Sequence, residues 1–197
     1  WINPYRVKGN SNTDKIAKSS PAYKWLGTGK VIVLDNGIFY NPADDEVVEL
    51  IVSGVEEIVR NYDVDGIHFD DYFYPYPQEG AVFDDAATYA QYGEGKSLED
   101  WRRENINTMI EQVHTLVEGY DREIPFGVSP FAVWKNQSSD PLGSATTAGV
   151  ETYYDLYADT RLWVKNRLID YIVPQIYWTF NHDTAPYAAL TDWWSQT

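Results

Sequence analysis

The sequence contains no cysteine, which excludes disulfide bonds and thiolate-ligated metal sites. No apolar run approaches the roughly 18 residues that a membrane-spanning helix needs. Basic residues are also few, because 15 lysines and arginines stand against 30 aspartates and glutamates, for a formal net charge of -15 at pH 7. Such a surface repels phosphate backbones, so the composition argues against a nucleic-acid partner and leaves neutral or cationic ligands open.

Aromatic residues, by contrast, are numerous. The 197 residues include 8 Trp, 16 Tyr and 7 Phe, and 44% of the chain is hydrophobic, enough for one sizeable core. Large planar side chains fill cores, and they also stack on the apolar faces of sugar rings. Composition favours the core role and leaves the sugar-binding role open.

Strand and helix patterns alternate along the chain. We predict parallel strands at WINPY (1–5), VDGIHFDD (64–71), IPFGVSP (124–130) and DYIVPQIYW (170–178), with a hairpin over 31–41. Helices are predicted over about 41–62, capped by Asn41, and over 97–118, 151–168 and 184–194. This alternation indicates an α/β fold, and four such units are too few for a closed eight-stranded barrel of about 250 residues. The prediction is a partial (β/α)8 TIM barrel in a single domain, residues 1–197, that is a fragment of a larger catalytic domain.

Side-chain alternation within the strands predicts which residues line a cleft. In the second parallel strand, Ile67 and Phe69 form an apolar face for the helices, whereas His68 and Asp70 point the other way. Asp70 stands at the carboxyl end of the strand, where barrels of this class carry their active sites. The same alternation directs four groups from the other strands to this rim: Tyr5, Ser129, Gln175 and Tyr177. Asn3 shares the inward face with Tyr5.

Two residues beside Asp70 have alternative roles. The Asp71 side chain is predicted to point to the opposite face of the strand from Asp70. Asp71 either braces the loop after the strand or lies close enough to Asp70 for the negative charge of one carboxylate to raise the pKa of the other. His68 is either a satisfied interior histidine or a partner that holds Asp70 ionised. A metal site on these three residues is disfavoured, because adjacent strand residues point apart.

Other candidates carry similar alternatives. Ser129 and Gln175 either satisfy each other inside the barrel or contact a ligand. Trp134 is either a loop anchor or a platform for a sugar ring. Glu151 either stabilises a helix start as an acidic residue or serves as a catalytic carboxyl group.

Six segments in order resemble a known family. They are WINPYR, DGIHFDDYFYP, WRRENIN, FGVSPFAVWKN, YADTRLWV and DYIVPQIYW, and they resemble the glycosyl-hydrolase-like 10 family of bacterial barrel proteins. The resemblance covers nearly the whole chain and implies that the four parallel strands are barrel strands three to six. DGIHFD also resembles the α-amylase pattern Asp-Gly-Phe-Arg-Leu-Asp, whose last residue is the nucleophile. Asp70 falls on that position, and His68 replaces the arginine.

The resemblance implies a glycoside hydrolase that cleaves O-glycosidic bonds of a polysaccharide, in particular a bacterial cell-wall glycan such as peptidoglycan. The α-amylase relatives carry an acidic Glu at the end of strand five, where this chain has Ser129. The acid must then come from Asp71, from Glu151 or Asp155, or from strands outside the chain. A non-catalytic carbohydrate-binding protein that keeps the cleft is the alternative.

Strand alternation and the family resemblance together give the expected site residues. The expected catalytic residues are Asp70, Asp71 and Glu151. The expected substrate contacts are Asn3, Tyr5, Arg6, His68, Tyr72, Tyr74, Ser129, Trp134, Gln175, Tyr177 and Trp178. The chemistry requires no metal or cofactor. The resemblance implies a location in the cell envelope or outside the cell, and we expect the chain to self-associate if it is made alone.

Overall fold

A computed structural model describes all residues, 1–197, as a mixed α/β structure with two small sheets. The strands are β1 (Arg6–Lys8), β2 (Val31–Leu34), β3 (Gly37–Tyr40), β4 (Ile67–Phe69), β5 (Phe126–Val128) and β6 (Tyr171–Ile172). The helices are α1 (Pro21–Lys24), α2 (Asp45–Asn61), α3 (Ala86–Tyr92), α4 (Leu98–Glu118), α5 (Thr152–Asp155), α6 (Thr160–Lys165) and α7 (Tyr187–Ser195). A 3-10 turn covers Thr13–Lys15. None of these helices combines the length and the apolar character needed to cross a bilayer.

The parallel sheet has the order β4-β5-β6. A fourth segment joins its free edge through one bridge, since the Ile2 N–H donates to the His68 carbonyl at 2.8 Å and Ile2 accepts from the Asp70 N–H at 2.9 Å. Four parallel segments therefore lie side by side in sequence order. The predicted α/β class is confirmed, as part of an α/β domain, while the assignment of this part to a TIM barrel stays a prediction.

The antiparallel sheet has the order β1-β3-β2 and contains the predicted hairpin. The strand predicted over WINPY was too long, because only Ile2 pairs with β4 and the regular strand begins at Arg6 in this other sheet. The reason is local: Pro4 has no N–H to continue the parallel ladder. The chain then turns toward β3, where Tyr5 accepts a hydrogen bond from the Tyr40 N–H at 2.8 Å.

Helix α2 forms as its apolar spacing predicts. Its buried face consists of Val47, Val48, Ile51, Val55 and Val59. Its cap differs from the prediction: Asp44 Oδ1 accepts from the N–H groups of Glu46 and Val47, at 3.1 and 3.2 Å. Asn41 lies buried before the helix, where its side chain donates to the Gly29 carbonyl at 3.1 Å.

Helix α4 begins where the sequence predicted. Ser97 caps it, because its Oγ accepts from the Asp100 N–H at 3.1 Å. The helix packs beside α2, and both contribute to the main hydrophobic core under the parallel sheet. Ile67 and Phe69 of β4 and Phe126 of β5 are buried in this core, so the predicted apolar face of these strands is confirmed.

The last third of the chain departs from the predicted helices. The helix predicted over 151–168 is broken into α5 and α6, since Asp159 accepts from the Leu162 N–H and from Trp134 Nε1. Tyr157, in the break, has a φ of 52°. Helix α7 begins after Pro186, later than predicted, and α3 lies in a stretch predicted to be loop. At the break between α5 and α6, a contact between distant segments overrides the local helical pattern.

Candidate active site

Asp70, directly after β4, lies at the carboxyl edge of the parallel sheet. Its Oδ1 accepts from the Asp71 N–H at 2.9 Å and from Gln175 Nε2 at 3.1 Å, and its Oδ2 accepts from Trp1 Nε1 at 3.0 Å. Partial burial raises the pKa of Asp70. The hydrogen bonds from Trp1 and Asp71 and the charge of Arg6 together lower this pKa by more than burial raises it. The net pKa lies below its ordinary value, so Asp70 is ionised at neutral pH.

Asp71 has the opposite electrostatic surroundings. Its side chain is buried, and Tyr76 donates a hydrogen bond to its Oδ2 at 2.5 Å. Burial raises the pKa of Asp71 to about 6, the Tyr76 bond opposes that rise, and the neighbouring Asp70 charge adds to it. The two consecutive carboxyl groups therefore favour different proton states.

Gln175, after β6, holds the Asp70 carboxylate in place. Its Nε2 donates both to Asp70 Oδ1 and to the Ser129 carbonyl, at 3.1 and 2.8 Å. Both amide hydrogens are used, so Oε1 remains as an acceptor. Asp70 Oδ1 thus has two donors, whereas Trp1 is the single partner of Oδ2.

His68 joins β4 to both neighbouring strands on the cleft face. Its Nε2 lies 2.9 Å from Ser129 Oγ, and its Nδ1 lies 3.0 Å from the Tyr171 hydroxyl. Tyr171 reaches His68 across Gly127 of β5, where an added Cβ would overlap the Tyr171 ring. Burial lowers the pKa of His68, which favours the neutral imidazole. The hydrogen bonds and the glycine together join the three strands on this face of the sheet.

A second group of side chains near Asp70 comes from the segment between Ile2 and β1. The Arg6 guanidinium lies 3.5 Å from the centre of the Tyr72 ring, and the Asn3 amide lies 3.2 Å from Arg6 Nε. Tyr72 in turn meets the edge of Tyr76 at 5.8 Å. Arg6 thus places a cation near Asp70, with the Tyr72 ring stacked against it.

Comparison with known proteins identifies the family of this chain. Residues 7–197 match the family described as Glycosyl hydrolase-like 10. The chain belongs to this family. It is 44% identical over 99% of its length to Glycosyl hydrolase YngK of Bacillus subtilis (strain 168), of which it covers 38%. It is 41% identical over 99% of its length to Glycosyl hydrolase DigH of Escherichia coli (strain K12), of which it covers 46%. The chain thus spans less than half the length of these curated relatives, and the family resemblance of the sequence is confirmed.

Two tyrosines expected at the rim of this glycosyl hydrolase-like 10 chain lie elsewhere. Tyr5 is fully buried in the main core with α2, because the chain leaves the parallel sheet after Ile2 and turns this ring toward the helices. Tyr74 is buried between Phe83 and Tyr157. Strand alternation does not apply to Tyr5, which lies outside the parallel strands, and the position of Tyr74 in the loop after β4 does not fix the direction of its ring. The expectation that they line the cleft is therefore wrong.

Trp134 and Glu151 have structural partners that correspond to their alternative roles. Trp134 Nε1 donates to Asp159 at 2.8 Å, and its ring stacks on Trp193, with 5.9 Å between the ring centres. The two oxygens of Glu151 accept from the Asn136 N–H and from the Ser139 hydroxyl. Trp134 anchors the long loop after β5 and Glu151 braces it. Their hydrogen bonds do not extend to the Asp70–Asp71 pair.

The two aromatic residues after β6 differ as strand alternation predicts. Tyr177 is 82% exposed. Trp178 packs edge to face with Phe131, with 5.6 Å between ring centres, beside a small core that contains Leu190. The Tyr177 ring is therefore free to contact a ligand, whereas the Trp178 ring packs against Phe131.

Three residues that contact the site were not predicted from sequence patterns: Trp1, Tyr76 and Tyr171. Tyr171 has the same alternation as Gln175 and could have been found by following the strand back four residues. Trp1 and Tyr76 carry no periodic signal, because one precedes the first bridge and the other lies in a loop. The histidines and carboxylates form no group of three that could hold a metal ion.

Proposed function

We propose that this chain is part of a glycoside hydrolase that cleaves the O-glycosidic bonds of a polysaccharide, with Asp70 as the principal carboxylate. One observation carries the proposal: an ionised Asp70, anchored by two donors on Oδ1, lies beside Asp71, whose pKa is raised to about 6. Glycoside cleavage usually needs two carboxyl groups in different proton states. The names of the family and of its relatives support the same reaction class.

The hydrogen bonds suggest how the site would divide the work. Oδ1 of Asp70 is held by Gln175 and the Asp71 N–H, so Oδ2, which has Trp1 as its single donor, is the oxygen that we assign to a reacting sugar carbon. An anchored carboxylate can attack that carbon or stabilise its positive charge. Asp71, buried under Tyr76, suits the role of holding a proton beside Asp70. Glu151 remains a third candidate carboxyl group, although it braces the loop after β5.

The substrate that we propose is a bacterial cell-wall glycan of the peptidoglycan type, met in the cell envelope or outside the cell. Family context motivates this choice. Arg6, Tyr72 and the exposed Tyr177 supply donor and stacking surfaces, and Gln175 Oε1 supplies an acceptor. Such a mixture suits uncharged sugar rings with hydroxyl groups.

A specific observation also favours a second candidate, a carbohydrate-binding protein without catalysis. Ser129 stands where the α-amylase relatives carry an acidic Glu, and it is buried and bonded to His68. It cannot supply the missing proton. In that case the cleft would bind glycan, and Asp70 would accept hydrogen bonds from sugar hydroxyls.

The test replaces Asp70 by Asn in the full-length protein. We expect the release of reducing ends from a glycan panel to fall by about 1,000-fold or more, while glycan binding persists, because the substitution removes charge and keeps shape. Asp65→Asn, an exposed aspartate before β4, is the matched control and should keep full turnover. Unchanged turnover in Asp70→Asn removes Asp70 from the mechanism. Binding without any release by the natural protein decides for the non-catalytic alternative.

A further inference from the structure

A cavity of about 130 Å³ lies between the loop that follows β4 and the segment that contains α5 and α6. Aromatic rings make up much of its wall, with two charged residues among them. The proposal depends on five of its lining residues: Tyr76, Phe83, Arg102, Asp155 and Tyr157. This cavity is separate from the contacts around Asp70 described above.

One residue connects the cavity to the catalytic pair. The Tyr76 side chain lines the cavity, and its hydroxyl donates to Asp71 at 2.5 Å. The two walls follow β4 and β5, and the loops after parallel strands lie at the edge of the sheet that carries Asp70. A ligand in the cavity would therefore contact the same tyrosine that donates to Asp71.

Arg102, the cationic residue in the wall of the cavity, already has protein partners for its charge and its N–H groups. Arg102 donates Nε and Nη2 to the Asp85 carboxylate at 2.8 and 2.6 Å, and Nη1 to the Tyr157 hydroxyl at 3.0 Å. Arg102 also donates to the Phe83 carbonyl at 3.2 Å. With its charge neutralised by Asp85, Arg102 shapes the cavity and does not attract an anion.

Asp155 supplies the free polar group. Its Oδ2 accepts from the Glu151 N–H at 2.7 Å, and its other oxygen has no protein partner. Next to it, Tyr157 adopts a φ of 52°, a conformation that aromatic residues rarely occupy. Strained residues of this kind cluster at ligand sites. A carboxylate oxygen beside aromatic faces offers a hydroxyl acceptor and a stacking surface together.

We propose that this cavity is a binding subsite for one sugar unit of the glycan, in which Asp155 accepts a hydrogen bond from a sugar hydroxyl. The inference rests on the proposed function and adds a second point of contact to it. The volume is far below the roughly 300–1,000 Å³ of drug-sized ligand pockets, so the cavity takes at most a single unit. Specificity for chain length follows, because only a glycan long enough to extend from Asp70 into the cavity contacts both places.

The experiment measures glycan affinity in the full-length Asp70→Asn protein, where the ligand is not consumed. Isothermal titration with cell-wall oligosaccharides of increasing length is compared for this parent and for two additional changes. Asp155→Asn keeps the shape and the Glu151 bond but removes the charge, and Ala81→Trp fills the cavity from its exposed rim. We expect each to weaken binding of the longer oligosaccharides at least five-fold and to leave the shortest unchanged. Asp192→Asn, an exposed aspartate on α7, is the control and should bind as the parent does.

The possible results separate the two proposals. Parental affinity for every oligosaccharide in both cavity variants overturns the subsite while leaving Asp70 in its role. An equal loss at every length also overturns it, because the cavity would then not read chain length. If the parent binds no glycan and the natural protein releases no reducing ends, the proposed function itself is wrong.

Discussion

At the scale of single residues, burial and hydrogen bonding together separate two chemically identical neighbours. Asp70 keeps part of its side chain in solvent and has three hydrogen-bond donors, whereas Asp71 is buried with one donor from Tyr76. Desolvation disfavours the charged form of a carboxyl group, and donors favour it. The pKa of Asp71 therefore rises to about 6, while that of Asp70 falls below its ordinary value.

This difference predicts a pH-dependent effect of Asp71→Asn on stability. The pKa of Asp71 is raised from 3.8 to about 6 in the folded protein, so the stability that its protonated form contributes is complete below about pH 4 and lost as the pH rises through 6. Asn keeps an acceptor for Tyr76 and carries no charge. We expect the variant to match the natural protein near pH 4 and to exceed it at pH 7.5 by on the order of 1–3 kcal/mol, a few degrees in Tm.

Thermal unfolding of both proteins across this pH range measures the difference. Asp65→Asn is again the control, since that aspartate is exposed, and its difference from the natural protein should be small at every pH. A stability difference for Asp71→Asn that does not change with pH would contradict the assigned proton state.

At the scale of secondary-structure elements, the short strands of the parallel sheet depend on side chains that cross between them. β5 has three residues and β6 has two, so few ladder hydrogen bonds join them. Tyr171 of β6 lies over Gly127 of β5 and bonds to His68 of β4. The absence of a side chain at Gly127 thus lets three strands share one contact.

Gly127→Ala tests this arrangement. The new methyl group would overlap the Tyr171 ring, so we expect a loss of about 1–3 kcal/mol in the free energy of unfolding and loss of the Tyr171–His68 hydrogen bond. Gly54→Ala is the matched control: Gly54 lies within α2 with open space at its Cβ position, and helix propensity predicts a gain of about 0.5–1 kcal/mol. Urea unfolding measures both, and an unchanged stability in Gly127→Ala would show that Tyr171 does not need this glycine.

At the scale of the whole molecule, the parallel sheet has a well-packed face and an open face. The helices α2 and α4 cover one side. On the other side, Tyr171 is 38% exposed and Val173 is 49% exposed. Trp1, beside His68, is also exposed. Layers of side chains fill this position in a closed barrel, and here the apolar surface meets solvent.

We expect the 197-residue chain on its own to self-associate through this open face or to be poorly soluble, because exposed apolar surface costs roughly 25 cal/mol per Å². Sedimentation velocity over a range of concentrations measures the effect. Val173→Lys should shift the chain toward monomer, whereas Val33→Lys, at an exposed valine of the antiparallel sheet, should not. A compact and stable monomer at all concentrations would contradict the prediction, and with it the partial-barrel interpretation.

Local sequence patterns by themselves determined much of this protein. Apolar spacing defined α2 and α4 within a few residues, and the strand pattern over 31–41 defined the β2–β3 hairpin. Alternation along β4 placed His68 and Asp70 on the cleft face, and the order of the motifs identified the family. These features depend on neighbours in the sequence, so the sequence is enough to predict them.

The tertiary structure alone decided the rest. Tyr5 turns into the core because a proline ends its pairing with β4, and the helix predicted over 151–168 breaks where Asp159 meets Trp134. The proton state of Asp71 depends on how deeply the packed loop buries it, and the Asp70 carboxylate is oriented by Gln175, 105 residues away. Burial and long-range hydrogen bonds are properties of the packed chain, and no local pattern encodes them.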